Sequence, residues 1–230
     1  VGFKIFGGMS RIFPQKSFSL YASKSRHGNK YVRHRIFPEK KQKKYKRLVL
    51  RNSGSDFGET HFRDALITSF GKDMGMEVQA YRPALVFING EYWGIYNFRE
   101  KLTRHYLVEN FGYHKDSVNL VEHRKSVQAG SRKTYDAMRT FMRSNSLASQ
   151  ENFDYINTQM DVKNFMEYEI LQIYIDNQDA GGNIKFWREQ TPNGKWNWVL
   201  YDTDWGFGLH DATGYKNNSL AFHTEPNGPG

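Results

Sequence analysis

Apolar and polar residues alternate through the first fifty positions, the two-residue period of half-buried strands. Lys4-Ile5-Phe6, Ser17 to Ala22 and Arg47 to Leu50 read as strands, separated by turn formers and basic loops. From Thr60 to Gly71 the spacing becomes helical, with Phe62, Ala65, Leu66 and Phe70 on one side and Thr60 placed to cap the start. Gly75 stops that helix, and Pro83 favours an extended start to the next strand. Ala84 to Phe98 is two β-rich runs around Asn89-Gly90, a pair that tolerates positive φ and so specifies a tight hairpin. Helical material follows at Leu102 to Phe111, Arg132 to Arg143 and Val162 to Tyr174. A second hairpin pairs Ile184 to Glu189 with Trp196 to Tyr201 through Thr191-Pro192-Asn193-Gly194. This order predicts an α+β fold in two parts, with the seam near Asn97 to Lys101. Residues 1–98 would form a β-rich part with one helix, and 99–230 a mainly helical part.

At 230 residues the chain can bury a core of its own. It has no run of about twenty apolar residues, so membrane insertion is not expected. It starts at Val1-Gly2-Phe3-Lys4, as if inside a strand, and ends in Pro226-Asn227-Gly228-Pro229-Gly230, so both ends read as truncated. Compartment and oligomeric state stay open. Cysteine is absent, which excludes disulfides, thiolate metal sites and cysteine nucleophiles. The net charge of +9 suits a polyanionic partner. Much of the excess lies in Lys40 to Arg47, a run that a solvated turn or edge-strand guard explains without any ligand. With no recognised nucleic-acid fold pattern, nucleic acid is not expected as a partner. The aromatic residues fall mostly within strand patterns and are expected in the core.

Candidate chemistry concentrates between Asp176 and Asp204. The Val162 helix runs out into Asp176-Asn177-Gln178-Asp179-Ala180-Gly181-Gly182-Asn183, and the second hairpin ends in Asp202-Thr203-Asp204-Trp205-Gly206-Phe207-Gly208. A hairpin returns the chain towards its start, so Asp202 can reach Asp179 and Asn183. Hard oxygen donors then converge, the ligands that magnesium prefers together with phosphate oxygens. Phosphoryl transfer needs little more than a metal carboxylate, an amide ligand, a carboxylate to orient the acceptor hydroxyl, and cations on the phosphates. In that scheme Asp179 is the base, and Asn183 and Asp202, with Asp204, hold the metal. The competing account makes these ordinary Asp/Asn turn residues bonded to their own backbone. Asp176 reads as a helix-end cap only. Earlier in the chain, Gly7-Gly8-Met9-Ser10-Arg11 lets backbone N–H groups approach an anion, with Ser10 and Arg11 adding donors; a plain hairpin turn would use the same glycines.

These segments together resemble the CotH kinases, a family named from spore-coat protein H. The likeness covers nearly the whole chain. It rests on Gly8-Met9-Ser10-Arg11 with Pro14 to Phe18, on Phe62-Arg63-Asp64, on Asn89 to Tyr96 with Glu100, and on Asp179 to Asn183 with Asp202-Thr203-Asp204. The resemblance implies a divergent two-lobed protein-kinase-like fold that binds ATP between a β-rich and a helical lobe. Mg2+, with Mn2+ as an alternative, would be the cofactor, and Ser/Thr of a coat or surface protein the acceptor. It implies Lys16 as the phosphate lysine, oriented by Asp64 or Glu59, and the backbone of Asn97, Phe98 and Arg99 as the adenine edge, with Glu100 closing it. An exported, cell-surface or spore-coat setting is likewise implied by resemblance alone. The chain departs from conventional kinases: no His-Arg-Asp precedes Asp179, the Asp179–Asn183 interval is one residue short, and Thr203-Asp204 replaces Phe-Gly. These departures suit an atypical kinase and equally a pseudokinase or a non-catalytic surface-binding module, for which Tyr92 or Trp93 would be contact residues.

Overall fold

The alternating segments become strands β1 (Gly2–Phe6) and β2 (Ser17–Tyr21), followed by the one-turn helix α1 (Lys24–His27), the short pair β3 (Val32–Arg33) and β4 (Lys44–Tyr45), and β5 (Arg47–Arg51). Helix α2 (Arg63–Asp73) precedes the hairpin of β6 (Tyr81–Ile88) and β7 (Glu91–Glu100). Asn89 and Gly90 close that hairpin with φ of 53° and 86°, as their identities predict. The second half holds α3 (Arg104–Phe111), β8 (Val118–Glu122), β9 (Ser126–Ala129), α4 (Lys133–Ser144), α5 (Gln150–Gln159), α6 (Val162–Tyr174), β10 (Lys185–Glu189), β11 (Asn197–Trp198) and α7 (Ser219–Thr224). This computed structural model describes residues 1–225 and 228; Pro226, Asn227, Pro229 and Gly230 lie outside the described residues, and with them most of the reading of that segment as a loose end.

The result is a mixed α+β fold. An antiparallel five-stranded sheet has the order β1-β2-β5-β7-β6, and a four-stranded sheet the order β11-β10-β8-β9. Pro83 sits in β6, an edge strand, where its missing N–H costs no ladder bond on the open side. The expected seam between residues 98 and 99 falls inside β7, which runs on to Glu100 with β5 on one side and β6 on the other.

Register decides which faces meet. Lys4 pairs with Ser19, Ser19 with Val49 and Val49 with Arg99; one step along, Arg51 pairs with Asn97. Alternation therefore puts Lys4, Ser19, Arg47, Arg51, Asn97 and Arg99 on one face of the large sheet. The opposite face carries Phe18, Leu50 and Tyr96, which pack with Val86 and Ile88, and Leu48, which packs with Ile36, Phe37 and Tyr45. The polar face is the one turned towards the acidic loops.

Helix α2 follows the same logic, against expectation. Its buried residues are Asp64, Ala65, Ile67, Thr68 and Gly71, while Phe62 and Leu66 are exposed. Thr60 does not cap it: its hydroxyl donates to Asp56 at 2.8 Å, and the Asp56 carboxylate takes the Arg63 N–H at 3.0 Å. Ile67 and Met76 join the main core of Tyr168, Leu171, Ile175, Phe186, Trp196, Trp198 and Leu200, so one core spans the junction of the halves. Two other expectations hold only in part. Lys40 is no solvated guard, because its ammonium pairs with the buried Glu100 at 2.5 Å. Phe87, Tyr92 and Trp93 are exposed rather than core.

Phe186 is fully buried, with ring centroids 4.3 Å from Tyr135 and 5.4 Å from Trp196. Phe186→Ala should cost about 3–5 kcal/mol by the transfer and cavity penalties. Urea denaturation should show a lower midpoint with an unchanged slope.

Candidate active site between the sheet and two acidic loops

The first acidic loop is stiffened before it reaches Asp179. Asn177 donates from its side chain to Gln172 at 2.8 Å, and its own amide oxygen accepts the Asp179 N–H at 3.1 Å. The Gly182 and Asn183 N–H groups then close on the Asp179 carbonyl at 3.0 and 3.3 Å. Asp176 adopts φ of 50° and its carboxylate accepts from Gln178, Asn217 and Ser219, a loop-ordering role in keeping with a helix-end cap.

Asn183 ties the two loops together. Its side-chain N–H groups donate to the Asp179 carboxylate at 2.7 Å and to the Asp202 carbonyl at 3.3 Å. Asp179, Asn183 and Asp202 are thus adjacent, as the hairpin argument predicts. Burial, then the charge of Asp202, pushes the Asp179 carboxyl up from its ordinary value.

On the sheet side Asp202 pairs with Arg51, which also holds Asp204 at 2.8 Å. Burial opposes the charge on Arg51, yet Asp202, Asp204 and Asp64 keep its pKa well above the usual value. Asp204 is turned into the protein: its carboxylate also accepts the Ser55 N–H at 2.8 Å. Burial, with Asp202 and Asp64 adding and Arg51 opposing, raises its pKa. Gly54, at φ of 61°, lies so close to Asp204 and Arg51 that a side chain there would collide with both. Next to this pair, Asp64 accepts the Thr203 N–H at 2.9 Å and its hydroxyl at 3.1 Å, and forms an ion pair with the buried Arg99. Although burial opposes it, Arg99, Arg51 and the Thr203 bonds hold the Asp64 carboxyl down at about 2.

The glycine turn reaches this site through Asn52. Asn52 donates to the Ser10 carbonyl at 3.4 Å and the Gln15 carbonyl at 2.7 Å, and accepts the Gly54 N–H at 3.1 Å beside Ser55. Arg11 folds back, its Nε donating to the Gly8 carbonyl at 3.3 Å. Two expectations lack support in this geometry. Lys16 spends its ammonium on the Arg11 and Phe13 carbonyls at 2.8 and 2.6 Å, with Asp64 engaged elsewhere and Glu59 exposed. The strand residues Asn97, Phe98 and Arg99 lie inside β7 with ladders on both sides, so their backbone is no free edge for a base. Instead the Asn97 side chain holds Ser53 and the His61 carbonyl, both at 2.8 Å. Sequence reasoning missed Arg51 and the Asp64–Thr203 clamp. The alternation of Arg47-Leu48-Val49-Leu50-Arg51, continued by one residue, carries the signal for Arg51.

Among the described residues no group of three or more His, Cys, Asp or Glu side chains forms a metal cluster. Asp179, Asn183 and Asp202 nonetheless offer two carboxylates and an amide, a donor set that suits magnesium bound together with phosphate oxygens. Burial, then the charge of Asp202, disfavours the Asp179 carboxylate, and a cation beside it would offset both. Both Asp202 and Asp204 pair with Arg51, but the Asp202 side chain is 33% exposed while Asp204, 4% exposed and also bonded to the Ser55 N–H, faces the protein and does not fit as a ligand. Arg51 Nε is a buried donor without an acceptor among the described residues.

These features define an α+β protein in which a guanidinium-bearing sheet face meets two acidic loops. The family model described as CotH kinase protein matches residues 3–228, and the chain belongs to that family. Membership points to an atypical kinase. Comparison with the curated proteins finds no match.

Asp64→Asn should cost about 3–5 kcal/mol near neutral pH, because it leaves Arg99 unpaired in the interior. A carboxyl with a depressed folded pKa contributes stability above its unfolded value of 3.8 and loses it as pH falls through about 2. The gap between wild type and variant should therefore narrow below pH 4 in urea denaturation series.

Proposed function

We propose that this chain is an atypical protein kinase that transfers the γ-phosphoryl group of ATP to Ser or Thr hydroxyls of a coat or surface protein, with Mg2+ as cofactor. The observation that carries this reading is the Asn183 side chain, which fixes the Asp179 carboxylate beside the Asp202 turn. Strand order supports the two-lobed arrangement: the chain-order first, second and third strands of the large sheet are followed by one helix and a hairpin, and the polar face of that sheet meets the acidic loops.

The roles follow from the chemistry of each side chain. Asp179, with its raised pKa, takes the proton of the acceptor hydroxyl as it attacks. Asn183 keeps that carboxylate in place. Asn183 and Asp202 would hold the metal, which when bound neutralises charge on the phosphate oxygens. Arg51 orients Asp202 through their ion pair. The γ-phosphoryl group breaks its bond to the β-phosphate oxygen and forms one to the acceptor oxygen, leaving ADP.

A second reading, binding of a partner protein without catalysis, draws on one feature. Leu85 and Ile95 pair across β6 and β7, and with Phe87, Tyr92 and Trp93 they leave an exposed apolar stripe on the hairpin. Transfer of phosphate separates the readings.

With saturating MgATP the folded state should gain about 2.7 kcal/mol at a hundredfold excess over Kd, read as a rise in Tm. Asp202→Ala should abolish that rise. Asp179→Asn should keep the nucleotide while transfer of radiolabelled phosphate to protein falls by about 10²- to 10⁴-fold. Transfer by Asp179→Asn at the wild-type rate would remove Asp179 from the mechanism.

A further inference from the structure

The large sheet has two edges, and the chain treats them differently. Strand β1 carries the exposed Lys4 at its middle, a charge that keeps a further strand from adding on that side. Strand β6 has no such guard: its one charge, Arg82, precedes Pro83, and the run from Pro83 to Ile88 is wholly apolar. Leu85 and Phe87 are 66% and 61% exposed there. The bulge of the hairpin sits on β7, where Trp93 is the extra residue, so β6 itself runs unbroken.

Two observations fix which backbone groups of β6 face outwards. Leu85 lies opposite Ile95, and the Ile95 carbonyl accepts the Gln15 side chain at 2.6 Å; Gln15 is in turn held by Asn52, just past the end of β5. Ile95 therefore turns its backbone groups towards β5, and its partner Leu85 turns the other way, into the open. Pro83, two residues earlier and of the same parity, has no N–H to lose on that side. The open edge thus presents the N–H and C=O of Leu85 and Phe87. Outside the hairpin no hydrogen bond reaches their backbone among the described residues.

We propose that β6 pairs with β6 of a second copy of this chain, antiparallel about a two-fold axis at Val86. Pro83 selects the register. Centred on Val86, Leu85 of each copy exchanges both backbone bonds with Phe87 of the other, and both open N–H groups find an acceptor. Centred on Leu85 instead, Phe87 would meet Pro83, which has no N–H to give. The pairing sets Leu85 of each copy against Phe87 of the other, flanked by Ile95 and Tyr92, and so covers the exposed stripe. Charges agree with it. Arg82 stands two residues before Ala84, which the two-fold places opposite Ile88 of the second copy, and Glu91 is the β7 neighbour of Ile88 on the same sheet face. Each Arg82 is brought towards Glu91 of the other copy. The edge is complementary to itself in hydrogen bonds, apolar contacts and charge, which singles out a second copy as its occupant.

The test uses the full chain, whose lack of cysteine gives a clean background for cross-linking. Sedimentation velocity over a dilution series should show a monomer–dimer equilibrium. A non-hydrogen-bonded antiparallel pair sets its Cα atoms about 4.5 Å apart, within reach of a disulfide. Val86→Cys should therefore give a disulfide-linked dimer on mild oxidation, and Ala84→Cys, displaced from the axis, should not. Leu85→Lys, at an exposed position, should leave Tm unchanged and weaken dimerisation by about tenfold or more, as a lysine guard on an open edge predicts. A monomer at every dilution, an unlinked Val86→Cys, or wild-type dimerisation by Leu85→Lys each overturns the inference; the first outcome leaves the stripe to a strand of another protein. MgATP binding and phosphate transfer do not enter these readouts, so the kinase reading stands or falls separately.

Discussion

One guanidinium, that of Arg51, joins the two halves of the site. It grows from the polar face of a β-strand and meets Asp202 and Asp204, both delivered by the strand end of the other half. A buried charge of this kind contributes little net stability, since desolvation consumes most of the Coulombic gain. Its consequence is specificity: with Arg51 in place the acidic loop can dock in one way only. Asp64 and Arg99 repeat the arrangement one strand over, and Asp64 reaches across to the Thr203 N–H between the two aspartates. The residues that would bind a nucleotide are therefore the ones that fix the junction.

This explains why the large sheet is turned as it is. Its apolar face packs on its own hairpin and on the Ile36–Tyr45 segment, leaving the polar face for the junction. Hydrophobic adhesion between the halves is left to α2 and the segment that follows it, through Ile67 and Met76. Helix α2 accordingly has mixed duties, burying Ile67 and Asp64 together, and its surface pattern is blurred.

That blurring marks where the sequence could be read and where it could not. The Asn89-Gly90 hairpin was legible because turn chemistry is local. The approach of Asp202 to Asp179 was legible because a hairpin must return. For α2 the apolar pattern finds Ala65 and Phe70 but misplaces Phe62 and Leu66, because a rule that buries apolar residues cannot find a carboxylate whose partner, Arg99, lies thirty-five positions away. The resemblance implies Lys16 for the phosphates, yet its acceptors are carbonyls of its own loop, which no family pattern reveals. The β8–β9 hairpin and α5 carried no strong periodic signal, and Lys40 found Glu100 through a contact that no local pattern encodes.

The backbone of the site bears the same mark. Ser53, His61, Asp176, Asp202 and Phe207 all take positive φ without being glycine. Such conformations cost about 1–3 kcal/mol each and persist where surrounding bonds over-determine them. Asp202 shows how: Arg51 holds its carboxylate, Asn183 its carbonyl, and Asp64 the next N–H. Glycine at 202 would relieve the strain and forfeit the carboxylate that pairs with Arg51 across the junction. The strained turn sets the Asp202 charge beside Asp179, whose carboxyl is pushed up first by burial and then by that charge, the environment the proposed base requires.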